Sequence, residues 1–210
     1  MCKKFFSIIL TLMISLSSVG CSHRLGDRDM DIYEKIHKYY NKMESFSTDI
    51  DLTVYSNKTE NRYFVSQKFK NPDMYFTRVT DADATFSVTT ITNRDKTKTF
   101  ADGSEYSLLI PSNDYVDLLF LNNFFKAYYM NKETFVSVDS SLVKSDKTVF
   151  SINLSDNDLS IKEISLSVDN KTLLPDTLTA YGTDGKKLFV ASFCTFIYND
   201  KIDDTIFNIN

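Results

Sequence analysis

The chain has 210 residues, enough for one sizeable domain and short for two. With 24 Lys and Arg against 28 Asp and Glu it is mildly acidic, which removes the electrostatic case for nucleic acid and for anionic wall polymer. Seventeen Phe and 12 Tyr against three Pro and five Gly favour sheet and a large core per residue.

Residues 1–20 read as a lipoprotein signal peptide that is removed. Lys3 and Lys4 form a positive start, Phe5 to Val19 form an apolar stretch diluted by hydroxyls, and Ser18-Val19-Gly20-Cys21 closes it. Small residues before the cysteine admit the peptidase, and the Cys21 thiol takes the lipid anchor and becomes the new N-terminus. Ser18 departs from the Leu usual at that position. The competing readings are an ordinary secretory signal and an uncleaved membrane helix. Fifteen residues of helix reach about 22 Å against a hydrocarbon core of about 30 Å, which argues against a span. The expected address is therefore extracytoplasmic, lipid-anchored on the outer face of a membrane.

Loss of Lys3 and Lys4 leaves 22 basic residues against 28 acidic, a net of −6. Cys2 leaves with the signal and Cys21 takes lipid, so Cys194 becomes the free thiol and no internal disulfide is expected. Its alternating run, Phe189 to Phe196, predicts a small buried thiol. Residues 21–29 lack periodicity and read as a tether carrying His23, and residues 30–210 as a single domain.

From Met30 to Met43, Ile32, Ile36, Tyr39, Tyr40 and Met43 recur at helical spacing opposite Glu34, Lys35, Lys38 and Lys42, an amphipathic helix capped by Asp29 or Asp31. His37 falls near its polar side. After Phe46 the period changes from 3.6 to 2. Phe46 to Val54, Arg62 to Lys70, Met74 to Thr80, Ala84 to Asn93 and Thr97 to Ala101 read as strands joined by short polar turns, an antiparallel meander. Pro111 to Asp114 signals a helix start, and Tyr115 to Met130 is the most apolar stretch beyond the signal. Such a helix needs cover on more than one side. It either plugs the concavity of a curved sheet or docks a protein or lipid chain. Strands resume over Phe135 to Val143, Thr148 to Leu154, Ile161 to Val168, Asp176 to Tyr181 and Lys187 to Tyr198, the last two joined around Asp184-Gly185. The predicted fold is mainly β in the α+β sense, with about ten or eleven strands and two helices.

Catalytic chemistry finds little to work with. Two histidines, one on the tether and one on a helix, do not build a zinc site. There is no Gly-x-Ser-x-Gly and no phosphate-cradling loop; Asp156-Asn157-Asp158 reads as a turn and Asp203-Asp204 as a solvated pair. Neither enzyme activity, cofactor nor metal is expected.

Ile161 to Pro175 with its Val168-Asp169 and Leu174-Pro175, then Tyr181 to Lys186, Phe193 to Phe196, and Ile202-Asp203 to Phe207, resembles the LolA/LolB-like lipoprotein-carrier superfamily. With the helices in the same order the resemblance spans most of residues 30–210. It is most like the clostridial spore-germination lipoproteins of the GerS type. The resemblance implies a curved antiparallel half-barrel around a helix. It further implies a non-catalytic lipoprotein on the cytoplasmic or a forespore membrane, whose partner is a zinc-dependent N-acetylmuramoyl-L-alanine amidase of CwlD type that it binds and activates. It carries no catalytic residue and no assignable contact residue to this chain. A lipid- or lipoprotein-binding carrier or sensor is the alternative, and strand exchange at an open edge into a homodimer is compatible with either.

Overall fold

The computed structural model describes residues 27–56, 58–103, 117–139, 146–154 and 161–209. Within them the chain begins with helix α1 (Asp27–Asn41) and runs through β1 (Ser45–Tyr55), β2 (Glu60–Lys70), β3 (Met74–Asp81), β4 (Phe86–Asn93) and β5 (Lys96–Gly103). Helix α2 (Leu121–Met130) follows, then β6 (Thr134–Asp139), β7 (Lys147–Asn153), β8 (Ile161–Asp169), β9 (Pro175–Gly182), β10 (Lys187–Tyr198) and a closing 3-10 turn (Asp204–Phe207). All ten strands join one open sheet in the order β5-β4-β3-β2-β1-β10-β9-β8-β7-β6, antiparallel at every pairing. Two meanders therefore meet at a central seam made by the first and last strands.

The period-2 pattern read in β1 is the reason its inner face is dry. Phe46, Thr48, Ile50, Leu52 and Val54 are buried, while Asp49 and Asp51 face outward. The register carries that face across the sheet. Val65 and Phe69 continue it on β2, Ala191 and Phe189 on β10, Leu178 and Ala180 on β9, Leu166 and Ile164 on β8, and Phe150 and Ile152 on β7.

The sheet curls around α2, as its contacts require. Phe120, just before α2, packs edge-to-face on Tyr75 of β3 at 4.9 Å, and Phe125 packs on Phe150 of β7 at 5.4 Å. Those strands are six positions apart, roughly 29 Å along a flat sheet at the usual strand spacing. A ten-residue helix is only about 15 Å long, so only a curved sheet brings both within its reach.

Helix α1 begins at Asp27, three residues before the predicted start, so the last residues assigned to the tether are helical. Asp29 and Asp31 lie inside the helix instead of capping it, in the N-terminal region where acid opposes the helix dipole. Its inner stripe, Ile36, Tyr40 and Met43, joins the core, and the Tyr40 hydroxyl donates to the Leu173 carbonyl at 2.9 Å.

Helix α2 is shorter than the predicted Tyr115–Met130. Asp117 and Leu118 are helical, and the backbone then breaks at Phe120, which is extended (φ −77°, ψ 120°) and caps α2 without a side-chain hydrogen bond. Burial of the Phe120 ring beside Tyr75 and Phe46 outweighs the capping preference for a small polar residue. Tyr115 and Val116, with the Pro111–Asp114 start signal, lie outside the described residues. So do the end of the strand predicted to reach Val143 and the Asp156-Asn157-Asp158 turn.

The family-like motifs prove to be turns and seals. Asp169 accepts from the Lys171 and Thr172 amides at 3.0 and 2.8 Å and from the Thr172 hydroxyl at 2.9 Å, folding the chain back into Leu174-Pro175. Gly185, at φ 75°, closes the β9–β10 turn by donating its amide to the Gly182 carbonyl. Asp203 caps the closing turn through the Thr205 amide at 2.9 Å, and Phe207 is fully buried beneath the ends of β3 and β4, its carbonyl accepting from Asn93.

Candidate partner interface

Inside the curl the apolar room is taken. Leu121, Phe124, Phe125 and Tyr128 of α2 are buried, Phe125 and Tyr128 against Tyr40 and Phe150, while Lys126, Tyr129 and Met130 stay exposed. The middle of the apolar stretch fills the concavity as a plug, while its end, Tyr129 and Met130, stays exposed. Burial pushes the Tyr128 hydroxyl up to about 12, and lifts Tyr129 further, so both stay neutral across the physiological range.

The two sheet edges differ. On β5 the exposed edge carries Lys96, Lys98 and Asp102, and charges of this kind discourage further strand pairing. On β6 the run Thr134-Phe135-Val136-Ser137-Val138 carries no charge, and within the described residues its outer side pairs with no strand. The chain entering β6 also concentrates exposed apolar surface: Tyr129 is 39% exposed, Met130 76% and Phe135 64%. An edge whose central run is uncharged and is flanked by projecting apolar side chains is a form of surface to which another chain adds a strand.

The residues singled out from sequence fall elsewhere. Cys21 and His23 lie outside the described residues. His37 is half-buried on α1, its ring 4.8 Å from that of Tyr129 and its nitrogens within reach of Asn41. Cys194 is exposed instead of buried, because β10 bulges against β1. Asp49 pairs with Thr195 and Ile50 with Phe193, leaving Cys194 as the extra residue and reversing the alternation past it. Asp203 caps a turn and Asp204 pairs with Lys70, so neither is arranged for acid–base chemistry. No group of His, Cys, Asp or Glu among the described residues could hold a metal ion, and no described helix is long and apolar enough to cross a membrane.

Two cavities lined by described residues are mixed, polar and apolar in equal share. One of about 340 Å³ lies between β3 to β5 and the start of α2, lined by five threonines together with Tyr75, Asp117, Phe120 and Asn123. The other, about 470 Å³ and shallow, lies along the C-terminal segment between Glu44 and Asp203.

The family model for YdcC-like sporulation proteins matches residues 2–207. No curated protein matches in sequence. Solved structures similar to this one include a chain of the CwlD amidase complex with the GerS lipoprotein from Clostridioides difficile, at 18% identity over 84% of this chain and 99% of that one, with a TM-score of 0.36. A LolA superfamily protein from Nitrosomonas europaea is similar at 12% identity, TM-score 0.40, over 86% of this chain and 97% of its own. The MucA/MucB complex from Pseudomonas aeruginosa contributes a chain at 10% identity, TM-score 0.42, over 86% of this chain and 60% of that one.

Proposed function

Since the chain belongs to the YdcC-like sporulation protein family, we propose that it is a lipid-anchored, non-catalytic lipoprotein that binds a cell-wall amidase and raises its activity during modification of the spore cortex. The observation that carries the reading is the β6 run Thr134 to Val138, uncharged and, among the described residues, paired with no strand on its outer side, beside Met130 and Phe135. The identity of the partner, a zinc-dependent N-acetylmuramoyl-L-alanine amidase, comes from the resemblance across Ile161 to Phe207. Cys21 carries the anchor, and the site of action is the outer face of a membrane. A lipid carrier would need open apolar room, which Phe124 and its neighbours occupy. That contrast favours a protein partner.

The test is capture of the amidase by the full chain extracted in detergent, with amidase turnover measured alone and in the complex. Met130→Lys and Phe135→Lys, both at exposed positions, should keep the fold and weaken capture at least tenfold. Cys21→Ala should move the chain out of the membrane fraction without changing capture. An amidase that is fully active alone and never co-purifies would overturn the reading. So would capture unaffected by both substitutions, or an edge occupied by a second copy of the chain.

A further inference from the structure

Strand β6 presents its backbone in a pattern that one bond fixes. The Asn153 amide on β7 donates to the Glu133 carbonyl at 3.0 Å, and the register sets Thr134 opposite Ile152. Hydrogen-bonded positions alternate along an antiparallel pair, so Phe135 and Ser137 turn their amides and carbonyls toward β7 while Thr134, Val136 and Val138 turn theirs away. The other side of β7 agrees, since the next residue, Leu154, donates its amide to the Lys162 carbonyl of β8 at 2.7 Å. Among the described residues, none of the outward amides and carbonyls of Thr134, Val136 and Val138 meets a partner.

The side chains beside these groups define what a further strand would carry. Thr134, Val136 and Val138 share the concave face with Ile152, Phe150 and Thr148, all fully buried. Val136 is half-buried against the core and ends an apolar row that runs from Leu178 through Leu166 and Phe150. Thr134 ends a second such row, through Ile164 and Ile152. An added strand therefore extends the core with apolar side chains opposite Thr134 and Val136. On the convex face an apolar side chain opposite Phe135 would cover its exposed ring.

Charge separates the occupants of this edge. Symmetric pairing with a second copy, centred on Val136 so that all three outward residues are used, sets Glu133 opposite Asp139 at both ends. Like charges directly opposite each other destabilise a strand pair, whereas opposite charges stabilise it. We infer that β6 takes an antiparallel strand from its protein partner, a run of about five uncharged residues matching Thr134 to Val138, apolar opposite Thr134, Phe135 and Val136, with a basic residue against Glu133 and against Asp139. The inference rests on the proposed docking of a partner at this edge and names the segment that docks. Its affinity comes from backbone hydrogen bonds to Thr134, Val136 and Val138, and its selectivity from the alternate side chains and the two end charges.

The test is amide hydrogen exchange, read residue by residue, of the full chain in detergent, free and with the captured amidase. The Thr134, Val136 and Val138 amides should slow about tenfold or more in the complex, while Phe135 and Ser137, already bonded to β7, should change little. Protection that alternates along β6 marks backbone pairing, which docking through side chains does not give. Val136→Pro deletes one outward amide and no bond to β7, so it should keep the fold, as edge strands tolerate proline. It should weaken capture about tenfold, and more than Val136→Ala does. Glu133→Lys, at an exposed position, should also weaken capture by setting like charges together. Uniform protection of β6, or none, in a complex that forms would overturn the strand and leave the partnership standing. Capture insensitive to Val136→Pro in a folded chain, or strengthened by Glu133→Lys, would do the same. Alternating protection that appears without the amidase as the chain is concentrated would assign the edge to a second copy and overturn the inference. Failure of any complex to form would overturn both readings.

Discussion

Single side chains in this molecule earn their place mostly by holding turns. Asp169 is the clearest, since hydrogen bonds from the Thr172 amide and, less strongly, from the Thr172 hydroxyl and Lys171 amide hold its carboxyl below the usual carboxylate range, although partial burial opposes them. A depressed folded-state value means the carboxylate contributes stability above the unfolded-state value of about 3.8, and that contribution is lost as pH falls through the folded value. Asp51, Asp81, Asp184 and Asp203 shift in the same direction, so their contributions vanish over the same acid window. Asp169→Asn should cost about 1 kcal/mol at neutral pH, and its difference from the wild type should shrink toward zero below pH 4. Thermal unfolding followed by circular dichroism across that range measures both. A constant offset down to pH 2 would show that the carboxylate charge is not what holds the turn.

At the scale of elements, α2 carries the core. Phe124 is fully buried between Phe125 and Tyr128, and Phe124→Ala should cost about 3–5 kcal/mol through lost burial and the cavity left behind. Against a total of roughly 5–15 kcal/mol for a domain, that loss lowers the melting temperature by many degrees or abolishes folding. Phe124→Leu, losing less volume, should fall between the two in thermal denaturation. The elements also show what sequence periodicity reveals. The wet and dry faces of β1 and the inner stripe of α1 follow directly from Phe46, Ile50 and Leu52 and from Ile36 and Tyr40, because one period repeats without interruption. The break at Phe120 and the bulge at Cys194 are invisible to period counting, since both arise where a distant strand, β3 in one case and β1 in the other, dictates the local backbone. The threonines Thr90, Thr92, Thr97 and Thr99 carry no signal in the sequence beyond strand alternation. Only the pairing of the strands puts them in register with Thr77 and Gln67.

For the whole molecule, strand order decides what local patterns leave open. That β6 is an edge and β1 is central follows only from assembly of the two meanders, so the candidate interface could be named from composition no further than its apolar residues Met130 and Phe135. The C-terminal segment ties the first meander to the last strand, with Phe207 under β3 and β4 and Lys70 donating to the Ile202 carbonyl at 3.4 Å. Phe207→Ala should therefore cost about 3–5 kcal/mol and loosen β3 and β4 more than β7 and β8. Amide hydrogen exchange resolved by strand would detect that asymmetry, and equal loss of protection in both meanders would contradict it.

The seam between β1 and β10 has a kinetic meaning. Its partners, Phe46 with Tyr198 and Val54 with Phe189, are separated by nearly the length of the domain. A chain emerging N-terminus first can zip β1 to β5 by local hairpins, yet the inner side of β1 stays bare until the final strand arrives. Closure of that gap carries the largest loop entropy in the fold and is the expected slow step of its assembly. Until then the nascent molecule presents, at its middle, a row of unsatisfied amides and carbonyls on a strand with a wholly buried, mostly apolar inner face. That interval is when it is most exposed to mispairing with another copy of itself.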